Sequence, residues 1–224
     1  VAELDINPLI VNHEGAIALD ARVRVSPKLP AGAANFAIQP YPAELTETID
    51  WQGQQLTLRP IRPEDEPRHR EFVDSLDAED LRMRFFYSRR IMERPELARL
   101  VQVDYTREMA FIATVPDENG NEKTLGVARA IADPDNIGAE FGIILRPGMK
   151  GTGLGRILMD KLIRYQRAAG TQQLVATVLV ENDRMRQLGQ ALGFSETPTP
   201  GDATTPGDAT THQLTLDLQP RARK

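Results

Sequence analysis

The stretch KGTGLGR, residues 150–156, places three glycines in five positions directly ahead of a long amphipathic run. A helix start leaves its first N–H groups without acceptors and carries partial positive charge. Glycines let a ligand approach the backbone closely, so such a site suits a phosphate. The amides of Gly151, Thr152, Gly153, Leu154, Gly155 and Arg156 are the candidates to face a diphosphate. Arg156 and Lys161 lie near enough in sequence to help screen its charge; their other reading is a solvated helix face. A Walker A loop needs G-x-x-x-x-G-K-[ST], and no glycine here is followed by that Lys-Ser/Thr pair. A dinucleotide fingerprint needs G-x-G-x-x-G; Gly151 and Gly153 fit, but Arg156 stands in the third place.

The loop must be held by flanking elements. AEFGIIL (139–145) reads as a strand ending five residues before Lys150, and the periodicity over 153–169 predicts a helix starting at the loop. QLVATVLV (173–180) reads as a buried strand. DRMRQLGQALGF has apolar positions at 185, 188 and 192, a helical spacing, and HQLTLDL (212–218) alternates as a strand. Upstream, TETIDWQGQQLTLRPIR predicts a hairpin turning at Gly53. Pro63 and Pro95 mark helix starts, AEDLRMRFF forms a short helix, and 109–115 and 124–132 are strand-like. Residues 3–25 read as two short strands around the turn NHEG. The Pro/Ala-rich 26–45 is a linker, and the tandem repeat PGDATTPGDATT (200–211) a hairpin connection. The divisions are therefore 1–25, a 26–45 linker, a main domain over 46–219 and a tail at 220–224.

The loop also fits [QR]-x-x-G-x-[GA], and with its context it resembles the coenzyme A pyrophosphate loop of the GNAT acetyltransferase superfamily. Gly153 and Gly155 satisfy the pattern, and Lys150 takes the Gln/Arg place while keeping a donor. Residues 139–194 resemble the GNAT core throughout. The resemblance implies an α/β (α+β) GNAT fold, a mixed, mostly antiparallel twisted sheet flanked by helices, with acetyl-CoA as co-substrate. Its pantetheine arm would pair with backbone groups of Ile143, Ile144 and Leu145. Asn182, with Met185 one turn on, would contact the cofactor; the other reading of Asn182 is a helix cap.

Acyl transfer to an amine needs a base, because a lysine amine has a pKa of roughly 10.4. Glu140 matches the glutamate that protein-acetylating members of the family carry; its other reading is an exposed strand glutamate. Glu108 and Asp104 are the reserve carboxylates. The resemblance implies a bulge that frees a backbone N–H near Ile144 or Leu145 to serve the oxyanion. Many members place a tyrosine where Gly189 stands here. A coenzyme A thiol, by analogy with cysteine at about 8.5, leaves without strong help. The phenylalanines of RFFY (84–87) line the core or the acyl pocket.

The front segment resembles the last hairpin of the ATP-grasp domain in acyl-CoA synthetases of the nucleoside-diphosphate-forming type. There the residues matching Asn7 and Asp20 hold magnesium; nucleotide binding by this short segment is not expected. The order hairpin, linker, GNAT resembles the bacterial protein lysine acetyltransferases of the Pat type. It implies an upstream synthetase-like region and a protein partner with a reactive lysine, such as an acyl-CoA synthetase.

Composition narrows the rest. With no cysteine, disulfides and thiol catalysis are excluded, so an acyl group passes by direct attack. The three histidines lack ligand spacing, and no metal is expected. A formal charge of −5 argues against nucleic acid, and no apolar run reaches the ~20 residues of a membrane span. The opening VAELDINP has neither Met nor a signal peptide, which fits a piece of a longer cytoplasmic protein. Two other readings stay open: acetylation of a small amine, and acetyl-CoA sensing without turnover.

Overall fold

The structure is a computed structural model that describes residues 1–26, 39–86, 92–199 and 211–219. Most of the linker, Tyr87, nearly all of the tandem repeat and the tail fall outside the described residues. Backbone contacts divide the chain into two units, Val1–Pro40 and Tyr41–Lys224.

In the first unit, β1 (Glu3–Ile6) pairs with β4 (Ala21–Arg24), and β2 (Leu9–Asn12) with β3 (Gly15–Ala18). The expected two strands are thus four. The break falls at Asn7–Pro8, because proline has no N–H to continue a ladder. Asn7 and Asp20 lie opposite each other there, with the Asn7 N–H donating to the Asp20 carbonyl at 3.2 Å. The turn NHEG forms as expected, and Asn12 Oδ1 accepts from the N–H groups of Glu14 and Gly15. Large apolar side chains along the hairpin, among them Leu4, Ile10, Ile17 and Val23, are exposed.

The second unit is organised by β7 (Glu108–Pro116), which is apolar nearly throughout. A strand apolar on both faces must be covered on both. Met109, Phe111, Ala113 and Val115 pack with α4 (Leu154–Ala168); Ala110 and Ile112 pack with α1 (Glu66–Asp74) and α3 (Arg94–Val101). The eight-stranded sheet includes β5 (Glu47–Trp51), β6 (Gln54–Pro60), β8 (Glu122–Ala132), β9 (Gly138–Leu145), β10 (Gln173–Leu179), β11 (Ser195–Pro198) and β12 (Thr211–Asp217). Its order is β11-β12-β10-β9-β8-β7-β6-β5, antiparallel except for β9 beside β10. The edge strand β11 is not among the expected elements; a four-residue, fully exposed strand carries little periodicity. On α4, Leu154, Leu158, Met159 and Leu162 are fully buried along one stripe, each contributing ~1.5–3 kcal/mol relative to exposure.

One bulge sets the facing of the central strands. Ala113 pairs with Gly126 but Thr114 with Thr124, leaving Leu125 as the extra residue in β8. A bulge shifts the alternation by one, so Ala128 and Ala130 face α4 while Val127 faces α1 and α3. At the far side, buried Arg59 donates to both oxygens of Asp65 at 2.7 Å and through Nε to Glu122 at 3.1 Å. This network ties β6 to the entry of α1 and the start of β8. Burial pushes the Asp65 carboxyl up, but its hydrogen bonds, those from Arg59 foremost, hold it below its ordinary value. The RFFY expectation holds in part: Phe85 packs against the second core, but Phe86 is 47% exposed with φ +63°. It stands at the end of the preceding helix and points away from the core.

Candidate active site

The two edges of β9 are unequal. Its ladder with β8 runs through seven pairs, from Ala132↔Ala139 to Gly126↔Leu145, without a register shift. Its ladder with β10 has three pairs and ends at Val175↔Glu140. Beyond Glu140 the two strands part. Strand backbone groups alternate in direction. The Ile137 carbonyl accepts from β10 and the Arg146 N–H donates to Leu125 of β8. Odd-numbered residues of β9 thus turn their N–H and C=O towards β10, even-numbered ones towards β8. Ile143 and Leu145 therefore present main-chain groups to the opening, while those of Ile144 are taken up by β8. This corrects two expectations: Ile144 cannot offer its backbone to a ligand, and no bulge in β9 frees an N–H. The parting of two parallel strands frees it instead.

The glycine loop closes the wide end of this opening. Gly151 and Gly153 have φ of +78° and +85°, a region that L side chains rarely adopt. Gly153 caps α4 without any side-chain acceptor. A Cβ on either glycine would meet nothing within 4 Å, so open space lies beside both residues. Thr152 Oγ1 donates to the Met149 carbonyl at 2.7 Å and ties the loop back. Gly155 faces α5 (Asp183–Ala191); a Cβ there would sit 3.5 Å from Leu188 and 3.6 Å from Leu145, ordinary contacts that match the Gly/Ala alternative of the motif. Arg156 is exposed beside Asp160. Lys161 does not reach the loop. Its Nζ is buried over the Phe111 ring and bonds the Leu45 carbonyl at 2.6 Å and Glu47 at 3.0 Å. Counted from Leu154, the first residue of α4, Lys161 lies about two turns down the helix on the core side.

Glu140 stands at the apex where the strands part, paired across the sheet with Ile131 and Val175. It is exposed, and among the described residues it is in no ion pair. Glu108 is committed to the buried Arg129, and Asp104 accepts from the Thr106 hydroxyl at 2.7 Å and its N–H at 3.0 Å. Asn182 Oδ1 accepts from the Met185 N–H at 3.1 Å and caps α5. Met185 is partly buried against the first core. At Gly189 a Cβ would lie 3.0 Å from Leu214 and 3.6 Å from the Phe194 Cβ. The missing tyrosine thus coincides with close packing of α5 on β12.

The sequence does not disclose the role of α2 (Ala78–Phe85). Its buried Asp80 pairs with Lys150, Arg82 pairs with Glu181 at the end of β10, and the Arg84 guanidinium lies where a Cβ on Gly142 would be. One helix therefore touches the glycine loop, the end of β10 and the floor of β9. Burial pushes the Asp80 carboxyl up, with Lys150 pulling it down less strongly. An acidic helix start, DAED, looks like ordinary dipole complementation in sequence; only the position of Asp80 beside apolar Leu81 hints at burial.

A family model described as the acetyltransferase (GNAT) family matches residues 75–194. An acetyltransferase of Pseudomonas aeruginosa is 32% identical over 170 residues, which cover 76% of this chain and 88% of that protein. The acetyltransferase Pat of Mycolicibacterium smegmatis is 30% identical over 142 residues, covering 63% of this chain and 41% of that protein, so the match spans less than half of Pat. Among solved structures, the GNAT domain of S. lividans PAT superposes with a TM-score of 0.69 at 19% identity, covering 80% of this chain and 99% of that one. That likeness supports the fold, the mostly antiparallel sheet with its helices on both faces. The chain belongs to the GNAT acetyltransferase family.

Proposed function

We propose that this chain transfers an acetyl group from acetyl-CoA to a lysine side chain of a protein, with Glu140 as general base. The observation that carries the reading is the opening beyond Val175↔Glu140, with free main-chain edges on one side and a glycine-capped helix start at its mouth. A diphosphate at residues 151–156 is met by orphan N–H groups and the helix dipole. From there the pantetheine arm runs along β9, and Leu145 pairs with its amide. The Ile143 N–H, nearer Glu140, serves the carbonyl oxygen as negative charge develops on it. The lysine arrives as an ammonium, and Glu140 takes its proton directly or through water. The freed amine attacks the thioester carbon, the C–N bond forms and the C–S bond breaks. The second nitrogen proton offsets the charge of the departing thiolate. The Asn182 side-chain amide and Met185 flank the cofactor at the start of α5.

The likeness to Pat proteins supports a protein acceptor, an acyl-CoA synthetase being the first candidate. The INPL and LD residues of the hairpin support its origin in a synthetase-like region. Gly189 favours a second reading, in which the domain binds acetyl-CoA without turnover. Glu140→Gln separates the two: kcat is expected to fall about a hundredfold or more while the Kd for acetyl-CoA stays within about twofold. Unchanged kcat refutes the base. Mass spectrometry of acyl-CoA synthetases incubated with acetyl-CoA and the chain, beside polyamines as acceptors, tests the substrate class. Label on the polyamines alone would overturn the protein acceptor.

A further inference from the structure

We propose that the acceptor lysine reaches Glu140 over a small aliphatic shelf on the sheet, made by Ile131 and Val175, which holds the methylenes of the lysine and so selects an amine at the end of an apolar stem. This rests on the acyl-transfer reading above and adds to it what recognises the acceptor. The shelf begins where the helices end. On the α1–α3 face of the sheet, β8 presents Val127, Arg129 and Ile131 in turn. Val127 is buried in the second core, and Arg129 is tied down by α3, its guanidinium donating to the Leu100 carbonyl. Ile131, about 7 Å further along the strand, is 51% exposed. β8 is an interior strand with a partner on each side, so what Ile131 exposes is a sheet face and not a sheet edge. Glu140 on β9 is exposed beside it, and Val175 on β10 is half-buried. The other face of the same strands is packed under α4, with Ala130, Ala139 and Phe141 buried there, so the acceptor comes from the Ile131 side.

Ile131, Glu140 and Val175 form one row across three strands. Ile131 pairs with Glu140 and Glu140 with Val175, so the three side chains share a face at a spacing of about 5 Å. An opposite charge directly across from a sheet glutamate is a stabilising pair. Glu140 has instead an isoleucine on one side and a valine on the other. The row continues to Glu108 on β7 and Thr215 on β12, and it holds no lysine or arginine. The charge of Glu108 is balanced by Arg129. That of Glu140 is in no ion pair among the described residues, so the cation that completes the row comes from outside the chain. Two aliphatic side chains with such a carboxylate between them match an amphipathic cation. A lysine lays its hydrocarbon stem along apolar surface and keeps its ammonium at the polar end. The α-amine of a peptide has no such stem to lay down. The bond changes are those given above; the shelf places the ammonium where Glu140 can take its proton.

The test measures transfer from acetyl-CoA to a lysine peptide with a blocked N-terminus and to a lysine-free peptide with a free one. The lysine peptide is expected to be the better acceptor. Ile131→Ser is expected to raise its KM about tenfold, the loss of roughly two buried methylenes, with kcat and the Kd for acetyl-CoA within about twofold. Val175→Thr keeps the shape of the side chain and suits a strand; it is expected to raise the same KM about threefold, and Ile131→Val to raise it less than that. A native peptide KM in Ile131→Ser would overturn the shelf and leave lysine acetylation standing. So would a fall in kcat and in acetyl-CoA affinity without a change in peptide KM, because Ile131 would then serve the sheet alone. Should Ile131→Ser not fold, Val175→Thr decides: a raised peptide KM upholds the shelf and an unchanged one sinks it. Were the native chain to acetylate neither peptide in saturating acetyl-CoA, the acyl-transfer reading would fail and the shelf with it.

Discussion

The two edges of β9 differ in the direction of the neighbouring strand and in the length of the ladder each makes. Towards β8 the strand is paired over its whole length; towards β10 it is paired for three residues and then bare. In a sheet interior an unpaired N–H or C=O is costly. A strand that leaves such groups facing an opening leaves them to water or to a ligand. The same strand thus carries a paired edge and an open edge, and alternation decides which residue lies on which. Ile144 belongs to the first; Ile143 and Leu145 belong to the second.

The strongest way to break this comparison is to close the mouth of the open edge. Gly153→Val puts a β-branched side chain at φ +85° and into the open space beside the loop. Affinity for acetyl-CoA is expected to fall about a hundredfold or more in calorimetry. Loss of far-UV dichroism would instead show that the glycine serves the fold. A weaker way is to loosen α2 from the loop. Lys150→Met leaves Asp80 buried without its cation, and the KM for acetyl-CoA is expected to rise about tenfold, more than kcat falls. Asp80→Asn, which keeps the shape, is expected to raise it less, about threefold. Equal KM values in all three proteins would detach α2 from the cofactor edge.

The smallest effect sharpens the comparison from the side that binds nothing. Arg59 foremost holds Glu122 below its ordinary value, and Asp65 is likewise lowered. Because the folded values are depressed, this stability is fully present above the ordinary carboxylate range and is lost as acid carries the pH down through them. His69 acts at higher pH. Its ordinary value is 6.5 and its folded value about 4, so the unfolded chain takes up a proton first and stability declines between them. Urea midpoints are expected to drop from pH 7 to pH 4, and His69→Leu to flatten the upper part of that decline. A midpoint independent of pH over that span would contradict both.

Much of this edge is legible in the sequence. KGTGLGR, the strand ahead of it and the helix behind it carry their information locally, in glycine placement and periodicity, and they appear within a residue or two of the expected bounds. The length of the β9–β10 ladder is not local. It depends on where β10 is held by β12 and where α5 packs, and no window around Ile143 contains that. For the same reason the family resemblance groups Ile144 with its neighbours and assigns the free N–H to a bulge. The partners Asp80 and Lys150 stand far apart in the chain. Lys161 reads as a diphosphate contact because helical position alone does not say which stripe faces the core. The hairpin reads as two strands because a single Asn-Pro within an apolar run is a weak stop until its partner strand is known.

The central claim is that the bare edge of β9 is completed by the cofactor, and amide hydrogen exchange on the chain with and without acetyl-CoA tests it residue by residue. The account predicts that the Ile143 and Leu145 amides exchange freely alone and become protected on addition of acetyl-CoA, while Ile144, already bonded to β8, hardly changes. Exchange at Ile143 and Leu145 that stays fast in saturating acetyl-CoA would contradict it.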